Sequence, residues 1–365
     1  MVLFYNVAQP QNIKPSYSPF DQVDFLVKMP AGRELKSGSF RISGTLNVSV
    51  NDGTEERKLK ATDGVFLNQY CGVHSLFRSF TESVNDQTVE NIAYYPRWVG
   101  MKRQAINSQP QTYSSADNII ELCGLGGNKV LAGDSTGNCY FSFKPQIALN
   151  KSNQNLPQSK FVQMRIMTQL ASAFEAFYTV PQTTPGTPAI TNITYSISDL
   201  QLSWYETAQT SAGDVVLNTC YLNKQTVVSN HTNLNIFAPN VYDAISVSFI
   251  KQSDLNKLLT DNNDCYLINQ IERVEFTLNG TDGPISYPLT SYQDYLLNYK
   301  KSLMAGEKNS FSQRLLNSGK VFGLGCSFQT SVNDKLGINI DVNNAVDMSL
   351  AKYDAYIYVN GYLTM

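Results

Sequence analysis

The stretch CGVHSLFRSF, from Cys71 to Phe80, contains the residue types that nucleophilic catalysis uses. It holds His74, one of only two histidines in the 365-residue chain, with a cysteine three positions before it and Ser75 directly after it. A catalytic cysteine needs a histidine base, but the two normally come from distant parts of a chain. In a strand, a spacing of three places Cys71 and His74 on opposite faces, because side chains alternate. We therefore predict that His74 is a structural histidine.

The other candidates for chemistry are equally isolated. His231 lies in the polar segment SNHTN, and the sequence has no HExxH or paired CxxC spacing that would form a metal site. The glycine-rich stretches Cys123–Lys129 (CGLGGNK) and Ser318–Gly325 (SGKVFGLG) lack the GxxxxGK[ST] spacing of a phosphate loop and are expected to be helix ends that turn into strands. No two carboxylates are marked as a facing pair. The sequence predicts no catalytic, cofactor-binding or metal-binding residue.

Composition indicates a β-rich protein with a polar surface that carries few charges. Only 16% of the residues are charged, 11% are aromatic, and the net charge is -2, so there is no basic field to hold a nucleic-acid backbone or anionic lipid. The N-terminal sequence lacks the features of a signal peptide, and no window is apolar enough for a membrane span, which predicts a non-secretory, reducing compartment. Six widely spaced cysteines are expected to be buried thiols: Cys71, Cys123, Cys139, Cys220, Cys265 and Cys326.

Strand signals dominate the chain. In SGSFRISGTLNVSV, apolar and polar residues alternate, which predicts a strand with one buried face. The same period of two occurs in FVQMRIM, AISVSFI and RVEFTL. Helical signals are few and short, the clearest being SYQDYLLNYKKSLM (291–304).

The order of these segments recurs in the two halves. VENIAYYP in the first half is matched with IERVEFTL in the second, and each half closes with a tyrosine-rich strand, NITYSISDLQLSWYE and KYDAYIYVNGYLT respectively. This predicts an all-β fold of two tandem eight-stranded antiparallel jelly rolls with a few short helices in connecting loops. The expected boundaries are a first jelly roll over 25–205, a linker over 206–214 and a second jelly roll over 215–365. Residues 1–24, with Pro10, Pro15 and Pro19, are expected to form an extended arm that docks on a neighbour or an inner component.

This layout resembles the double jelly-roll major capsid proteins of tailless icosahedral viruses, the lineage that includes PRD1-type phages, adenovirus and polinton-like viruses. The resemblance is carried by SGSFRISGTLNV, by GVHSLFRSF leading to VENIAYYPRW, and by NITYSISDLQLSWYE in the first half; IERVEFTLNG, ISYPL and the final strand carry it in the second. It covers the chain from about Ser39 to the C-terminus.

The resemblance implies a structural role without catalysis or cofactor. Three copies would form a homotrimer whose six jelly rolls make a pseudo-hexagonal capsomer, and many capsomers would tile the shell. The implied partners are other copies, neighbouring capsomers, and penton or minor capsid proteins, with no direct binding of nucleic acid. The implied location is the virion, assembled inside the host cell without secretion through a signal peptide.

Two alternatives remain open at the level of sequence. A viral minor capsid, vertex or receptor-binding β-sandwich protein would share the fold class, but one of its copies should bear a binding site. A double jelly-roll amidase acting on glycans would need a carboxylate site in the cleft between its domains. The similar layout of both halves favours the capsomer, because both halves must then present similar sides to neighbours.

Overall fold

The computed structural model describes most of the chain. The described residues are 3–60, 62–68, 71–106, 138–152, 154–180, 189–210, 213–236, 241–263, 271–278, 323–327, 334–348 and 350–365. The predicted helix at 291–304, the ISYPL segment, the glycine-rich stretch at 123–129 and most of that at 318–325 lie outside them.

The structure is built mainly from strands, as predicted. The first part of the chain contains β1 (Phe4–Ala8), β2 (Gln22–Val27), β3 (Arg33–Leu35), β4 (Arg41–Asn51), β5 (Glu56–Lys58), β6 (Val65–Leu67), β7 (Phe77–Val84), β8 (Gln87–Ala93), β9 (Asn138–Phe143), β10 (Leu156–Pro157), β11 (Met164–Leu170), β12 (Phe177–Thr179) and β13 (Asn192–Ala208). The second part contains β14 (Val216–Val227), β15 (His231–Ile236), β16 (Tyr242–Lys251), β17 (Ile271–Leu278), β18 (Leu324–Ser327), β19 (Leu336–Val342) and β20 (Tyr353–Thr364). The described helices are α1 (Tyr95–Ile106), α2 (Ala148–Lys151) and α3 (Ala173–Ala176), with short 3-10 helices at Gly72–Leu76, Gln158–Lys160 and Gln252–Asp254.

Apolar alternation predicts the strands β4, β16 and β17 correctly, but the strand predicted at FVQMRIM begins only at Met164, and Val162 before it is 75% exposed. In β4, Ile42, Leu46, Val48 and Val50 are fully buried, and Phe40 just before the strand is buried with them. The AISVSFI segment lies in β16, where the residues between the predicted apolar positions are buried too. Strand β16 is therefore covered on both faces.

The first eight principal strands form a sandwich of two sheets. One sheet has the order β1, β13, β4, β9, and the other has the order β2, β11, β7, β8. If these eight strands are numbered 1 to 8 along the chain, the order in the first sheet is 1, 8, 3, 6. The order in the second sheet is 2, 7, 4, 5. This is an eight-stranded jelly roll, in which the chain passes repeatedly between two antiparallel sheets. The short strands β3, β5 and β10 extend the first sheet, while β6 and β12 pair separately.

The second sandwich repeats this topology. Its first sheet has the order β14, β20, β16, β18, which corresponds to β1, β13, β4, β9 of the first sandwich. Its second sheet has the order β15, β19, β17, which corresponds to β2, β11, β7. The described residues supply seven strands of this sandwich, and residues 279–322, between β17 and β18, lie outside them. The fold prediction of two tandem jelly rolls is therefore confirmed.

One correspondence between the halves differs from the sequence-based match. The closing strands β13 and β20 are equivalent, as predicted, since both occupy the eighth place. VENIAYYP, however, contains the fifth strand β8, whereas IERVEFTL is the fourth strand β17. The true equivalent of IERVEFTL is β7, because each pairs with the seventh strand of its own sandwich.

The two sandwiches meet edge to edge. Strand β14 lies beside β8, with a parallel bridge between Tyr221 and Asn91, and this joins sheets of both sandwiches into one eight-stranded sheet. The main apolar core spans the junction, because Leu217, Cys220 and Tyr358 of the second sandwich belong to the same buried cluster as the first sandwich. A second apolar cluster fills the interior of the second sandwich alone.

The predicted N-terminal arm is wrong for residues 3–24. This segment supplies β1 and the start of β2, and Tyr17 exchanges two backbone hydrogen bonds of 2.8 Å with Ile197. The Tyr17 side chain is only 2% exposed. The prolines occupy the connection between β1 and β2, where Pro removes no ladder hydrogen bond, so they do not keep the segment out of the sheet.

The predicted linker boundaries also need correction. Strand β13 continues to Ala208, because Glu206, Thr207 and Ala208 pair with β3. The Gln209 amide then donates to Gly32 O at 2.9 Å. The connection between the sandwiches is therefore shorter than 206–214 and lies between Gln209 and the start of β14.

If residues 3–24 are part of the first sandwich, truncating a buried side chain there will destabilise it. Tyr17→Ala should lower the free energy of unfolding by about 3–5 kcal/mol, as for other large buried aromatics. Ile13→Ala is the control, because this side chain on the same segment is 77% exposed and its loss should change stability by less than about 0.5 kcal/mol. Denaturant unfolding measures both, and equal effects would contradict the assignment.

Candidate functional site

His74 is enclosed in the core of the first sandwich. Its side chain is 0% exposed, its Nδ1 lies 2.7 Å from the Tyr95 hydroxyl, and its ring meets Phe143 edge to face at a centroid distance of 4.6 Å. The Tyr95 hydroxyl in turn accepts the Gln146 backbone N–H at 2.7 Å. The contacts support the interpretation of His74 as structural, since it holds the start of α1 and the chain after β9 in place.

Cys71 makes a parallel attachment to the same helix. Its thiol donates to Pro96 O at 2.9 Å, and its backbone N–H donates to Asn68 Oδ1 at 2.9 Å. Helix α1 approaches closely here, because a Cβ on Gly100 would lie only 3.1 Å from Cys71 Sγ. The prediction that Cys71 to Phe80 forms one strand is wrong in its first half, where Gly72–Leu76 is a 3-10 helix, while β7 begins at Phe77.

The remaining sequence candidates do not converge on a site. His231 is in β15, its side chain is 74% exposed, and its Nδ1 lies 2.9 Å from Asp341 Oδ1 on β19. Within the described part of the chain, no three His, Cys, Asp or Glu side chains are grouped as metal ligands would be. Cys71, Cys139, Cys220 and Cys326 are buried thiols, as predicted, and Cys123 and Cys265 lie outside the described residues. No described helix is long and apolar enough to cross a bilayer.

A buried pair of carboxylates is the group that sequence reasoning missed. Glu82 on β7 and Glu90 on β8 are direct cross-strand partners, with 0% and 1% exposure. Glu90 binds Lys151 Nζ in an ion pair and accepts the Ala148 N–H at 2.7 Å. Glu82 Oε2 accepts the Leu149 N–H at 3.4 Å, while its Oε1 lacks a hydrogen-bond partner. Two acids and one ammonium thus share a dry site beneath α2.

Burial controls the protonation of this pair. Removal from water raises the pKa of Glu82 well above its ordinary value, and the neighbouring Glu90 raises that pKa further. Burial also raises the pKa of Glu90, but Lys151 and the N–H groups of Ala148 and Cys220 oppose the shift. Because the Lys151 ammonium forms its ion pair with Glu90, we expect Glu90 to be the ionised member and Glu82 to hold the proton.

A cluster of tyrosines and cations lies on the junction between the sandwiches. Tyr94, between β8 and α1, has a positive φ of 49°, and its carbonyl accepts the Tyr358 hydroxyl at 2.9 Å. Its ring meets Tyr356 of β20 edge to face at 5.0 Å. The Arg97 guanidinium lies 4.2 Å above the Tyr356 ring, and Lys224 Nζ is 5.4 Å from both rings. Cation–π contacts that are partly removed from water stabilise such a junction by about 0.5–2 kcal/mol each.

The acid pair and the tyrosine cluster are contacts between packed elements of the fold. The acid pair and the tyrosine cluster both join the first sandwich to the second, through α2, α1, β14 and β20. A non-glycine residue at positive φ, as at Tyr94, persists only where its surroundings hold it. The contacts of the acid pair and of the tyrosine cluster therefore hold the two sandwiches in a fixed relative position.

The geometry defines a class of fold: two jelly rolls that share one strand order in their described strands and are joined edge to edge. Solved structures with this fold match the whole chain. VP54 of the virus PBCV-1, fitted into a reconstruction of the virophage Sputnik, has a TM-score of 0.58 at 9% identity, covering 100% of this chain and 95% of its own. The Faustovirus major capsid protein has a TM-score of 0.58 at 9% identity, with 100% and 90% covered. The mavirus major capsid protein has a TM-score of 0.51 at 11% identity, with 99% and 90% covered.

Comparison of the amino-acid sequence finds no relative: no family model matches the chain, and no curated protein matches it. At 9–11% identity, the likeness to the solved structures concerns the fold.

The protonated Glu82 predicts an unusual dependence of stability on pH. Its folded pKa is raised above the ordinary value of 4.5, so the folded state retains a proton that the unfolded state releases. Stability from this group is therefore complete below pH 4.5 and is lost as the pH rises towards the folded pKa. Glu82→Gln removes this dependence and should raise the free energy of unfolding at neutral pH by about 1–3 kcal/mol.

Lys151→Met is the control variant, and we expect it to change stability in the opposite direction. It leaves the ionised Glu90 without its buried partner and should destabilise the protein by about 3–5 kcal/mol. Both variants are measured by denaturant unfolding between pH 4 and pH 9. A loss of stability in Glu82→Gln that is equal at all pH values would contradict the protonated assignment.

Proposed function

We propose that this chain is the major capsid protein of a tailless icosahedral virus, in which three copies form a capsomer of six jelly rolls. The observation that carries the proposal is that the seven described strands of the second sandwich repeat the strand order of the first, with the two sandwiches joined side by side. The full-length likeness to the Faustovirus and mavirus major capsid proteins supports it.

The physical requirements of a tile favour the same function. A shell unit needs stiff side walls that keep their relative orientation, and the junction between β8 and β14 provides them through a continuous sheet and a shared apolar core. A large apolar junction of this kind behaves as part of one core, so the two sandwiches move together. Only 16% of the residues are charged, which suits a protein whose lateral surfaces pack against the lateral surfaces of other copies, because the cores of such interfaces are poor in charged residues.

The role is structural in this proposal, and catalysis has no part in it. His74 and Cys71 are buried and hold α1, while Glu82 and Glu90 lie in a dry site beneath α2. A glycan-cleaving enzyme needs two carboxylates on either side of a space that admits substrate.

The partners are further copies of the chain, neighbouring capsomers, and penton or minor capsid proteins at the vertices. The location is the virion, assembled inside the host cell.

The mass of the purified chain tests the proposal. A capsid tile should be a stable trimer with a mass near three times 40.7 kDa, which light scattering after size exclusion measures directly. Electron microscopy of concentrated protein should show pseudo-hexagonal particles. A folded monomer at micromolar concentration would contradict the proposal, and a monomer that cleaves a glycan would establish the enzyme alternative instead.

A further inference from the structure

The ion pair between Lys151 of α2 and Glu90 of β8 is almost completely removed from water. The Lys151 side chain is 8% exposed and the Glu90 side chain is 1% exposed. The ion pair of Lys224 with Asp354 is a contrast, since the Lys224 side chain is 36% exposed. Lys151 Nζ lies 4.8 Å from the ring centroid of the buried Trp98. The ammonium of Lys151 and the carboxylate of Glu90 therefore meet with little competition from water.

Charges in such a place are costly. Desolvation of two ions can exceed the attraction between them, so a buried ion pair often stabilises a fold less than uncharged side chains would. Transfer of one proton from Lys151 Nζ to Glu90 removes both charges and leaves a neutral amine beside a carboxylic acid. These groups are the two reactants of an amide bond, and the fold holds them in contact.

Two backbone donors orient the Glu90 carboxyl group. Its Oε2 accepts the Ala148 N–H at 2.7 Å, and the Cys220 N–H also donates to this carboxyl group. The other oxygen, Oε1, is in contact with Lys151 Nζ. Fixed N–H groups stabilise the negative charge that develops on an acyl oxygen when a nucleophile attacks its carbon. The contacts therefore mark Oε2 as the oxygen that stays and Oε1 as the oxygen that leaves.

Glu82 of β7 provides an acid beside this pair. It is the direct cross-strand partner of Glu90, so their Cβ atoms lie about 5 Å apart. Glu82 Oε2 accepts the Leu149 N–H at 3.4 Å, whereas Oε1 is buried without a hydrogen-bond partner. Burial raises the pKa of Glu82 well above its ordinary value, so this side chain keeps a proton to donate. A carboxylic acid at this place can protonate a departing oxygen.

We propose that Lys151 Nζ and Glu90 Cδ join in an intramolecular amide bond, with Glu82 as the acid that assists the reaction. Rotation of the Lys151 side chain carries the neutral amine from Oε1 to Cδ, the N–C bond forms, and the C–Oε1 bond breaks. Glu82 protonates the leaving oxygen and regains a proton from the nitrogen. Of the three ammonium protons, one stays on the amide nitrogen and two leave with Oε1 as water, so the reaction needs no oxidant or other reactant.

The bond would reinforce the joint between the sandwiches. It closes a covalent ring over residues 90–151, which contains α1, and such a ring reduces the conformational freedom of the unfolded chain. It also fixes α2, to which β14 is tied because Asn218 Nδ2 donates to Lys151 O at 3.2 Å. The ion pair is the state before the reaction, and the unfolding experiments with Glu82→Gln and Lys151→Met refer to that state. The inference concerns the single chain and does not depend on the proposed capsomer.

The mass of the denatured full-length chain tests the proposal. The wild type should be lighter than its sequence by one water molecule. Lys151→Arg should have its full sequence mass, because a guanidinium retains the positive charge but is not a nucleophile. Glu82→Gln should lose water at least about a hundredfold more slowly, since it lacks the acid. Lys224→Arg is the matched control at the more exposed ion pair, and it should lose water as the wild type does.

Peptide mapping locates the bond. Trypsin does not cleave after an acylated lysine, so the digest should contain a branched peptide in which fragmentation places the link between Lys151 and Glu90. A wild type with its full sequence mass would overturn the proposal. So would a loss of water that persists in Lys151→Arg, as cyclisation at Asp52–Gly53 would produce, or a link from Lys102, whose Nζ lies 5.4 Å from the Trp98 ring. Because the chain is denatured for these measurements, its oligomeric state does not affect them.

Discussion

The first strand of a jelly roll lies at the edge of its sheet, where its backbone and side chains must be covered by something else. In this chain, the first sandwich covers that strand of the second sandwich. The contact of β14 with β8 and α2 buries Leu217 and Cys220 and merges sheets of both sandwiches. The acid pair beneath α2 and the tyrosine cluster around Tyr94 lie at the same contact. They fix the joint between the sandwiches, because each connects elements of one to elements of the other.

Much of the fold could be predicted from the sequence because strand patterning is local. The alternation in β4 is complete within eleven residues, and the closing strands β13 and β20 share a tyrosine-rich pattern that indicates equivalence. Fold class follows from such segments and their order. The fourth and fifth strands were confused because local patterning does not reveal pairing partners, and only pairing with the seventh strand distinguishes β7 from β8.

The acid pair could not be predicted for a different physical reason. The segment TESVNDQTVE is recognisable as a hairpin, with Asn85 and Asp86 at positive φ in its turn. A regular register from that turn would place Glu82 opposite Val89. The irregularity between Glu82 and Ser83 shifts the register so that Glu82 faces Glu90 instead. The pairing of β1 with β13 could not be predicted either, because the two strands are far apart in the sequence and no local pattern indicates a distant partner.

The pairing of β1 with β13 has a consequence for biosynthesis. Phe4 is translated before its cross-strand partner Glu206, which emerges only after nearly all of the first sandwich has been translated. Contacts between such distant positions form slowly, because a long loop must close first. The nascent chain therefore carries an apolar segment without its partner for most of the synthesis of its first half. Exposed apolar segments of this kind are the ones that chaperones bind, and this one is without its partner until the chain has been translated through β13, which ends at Ala208.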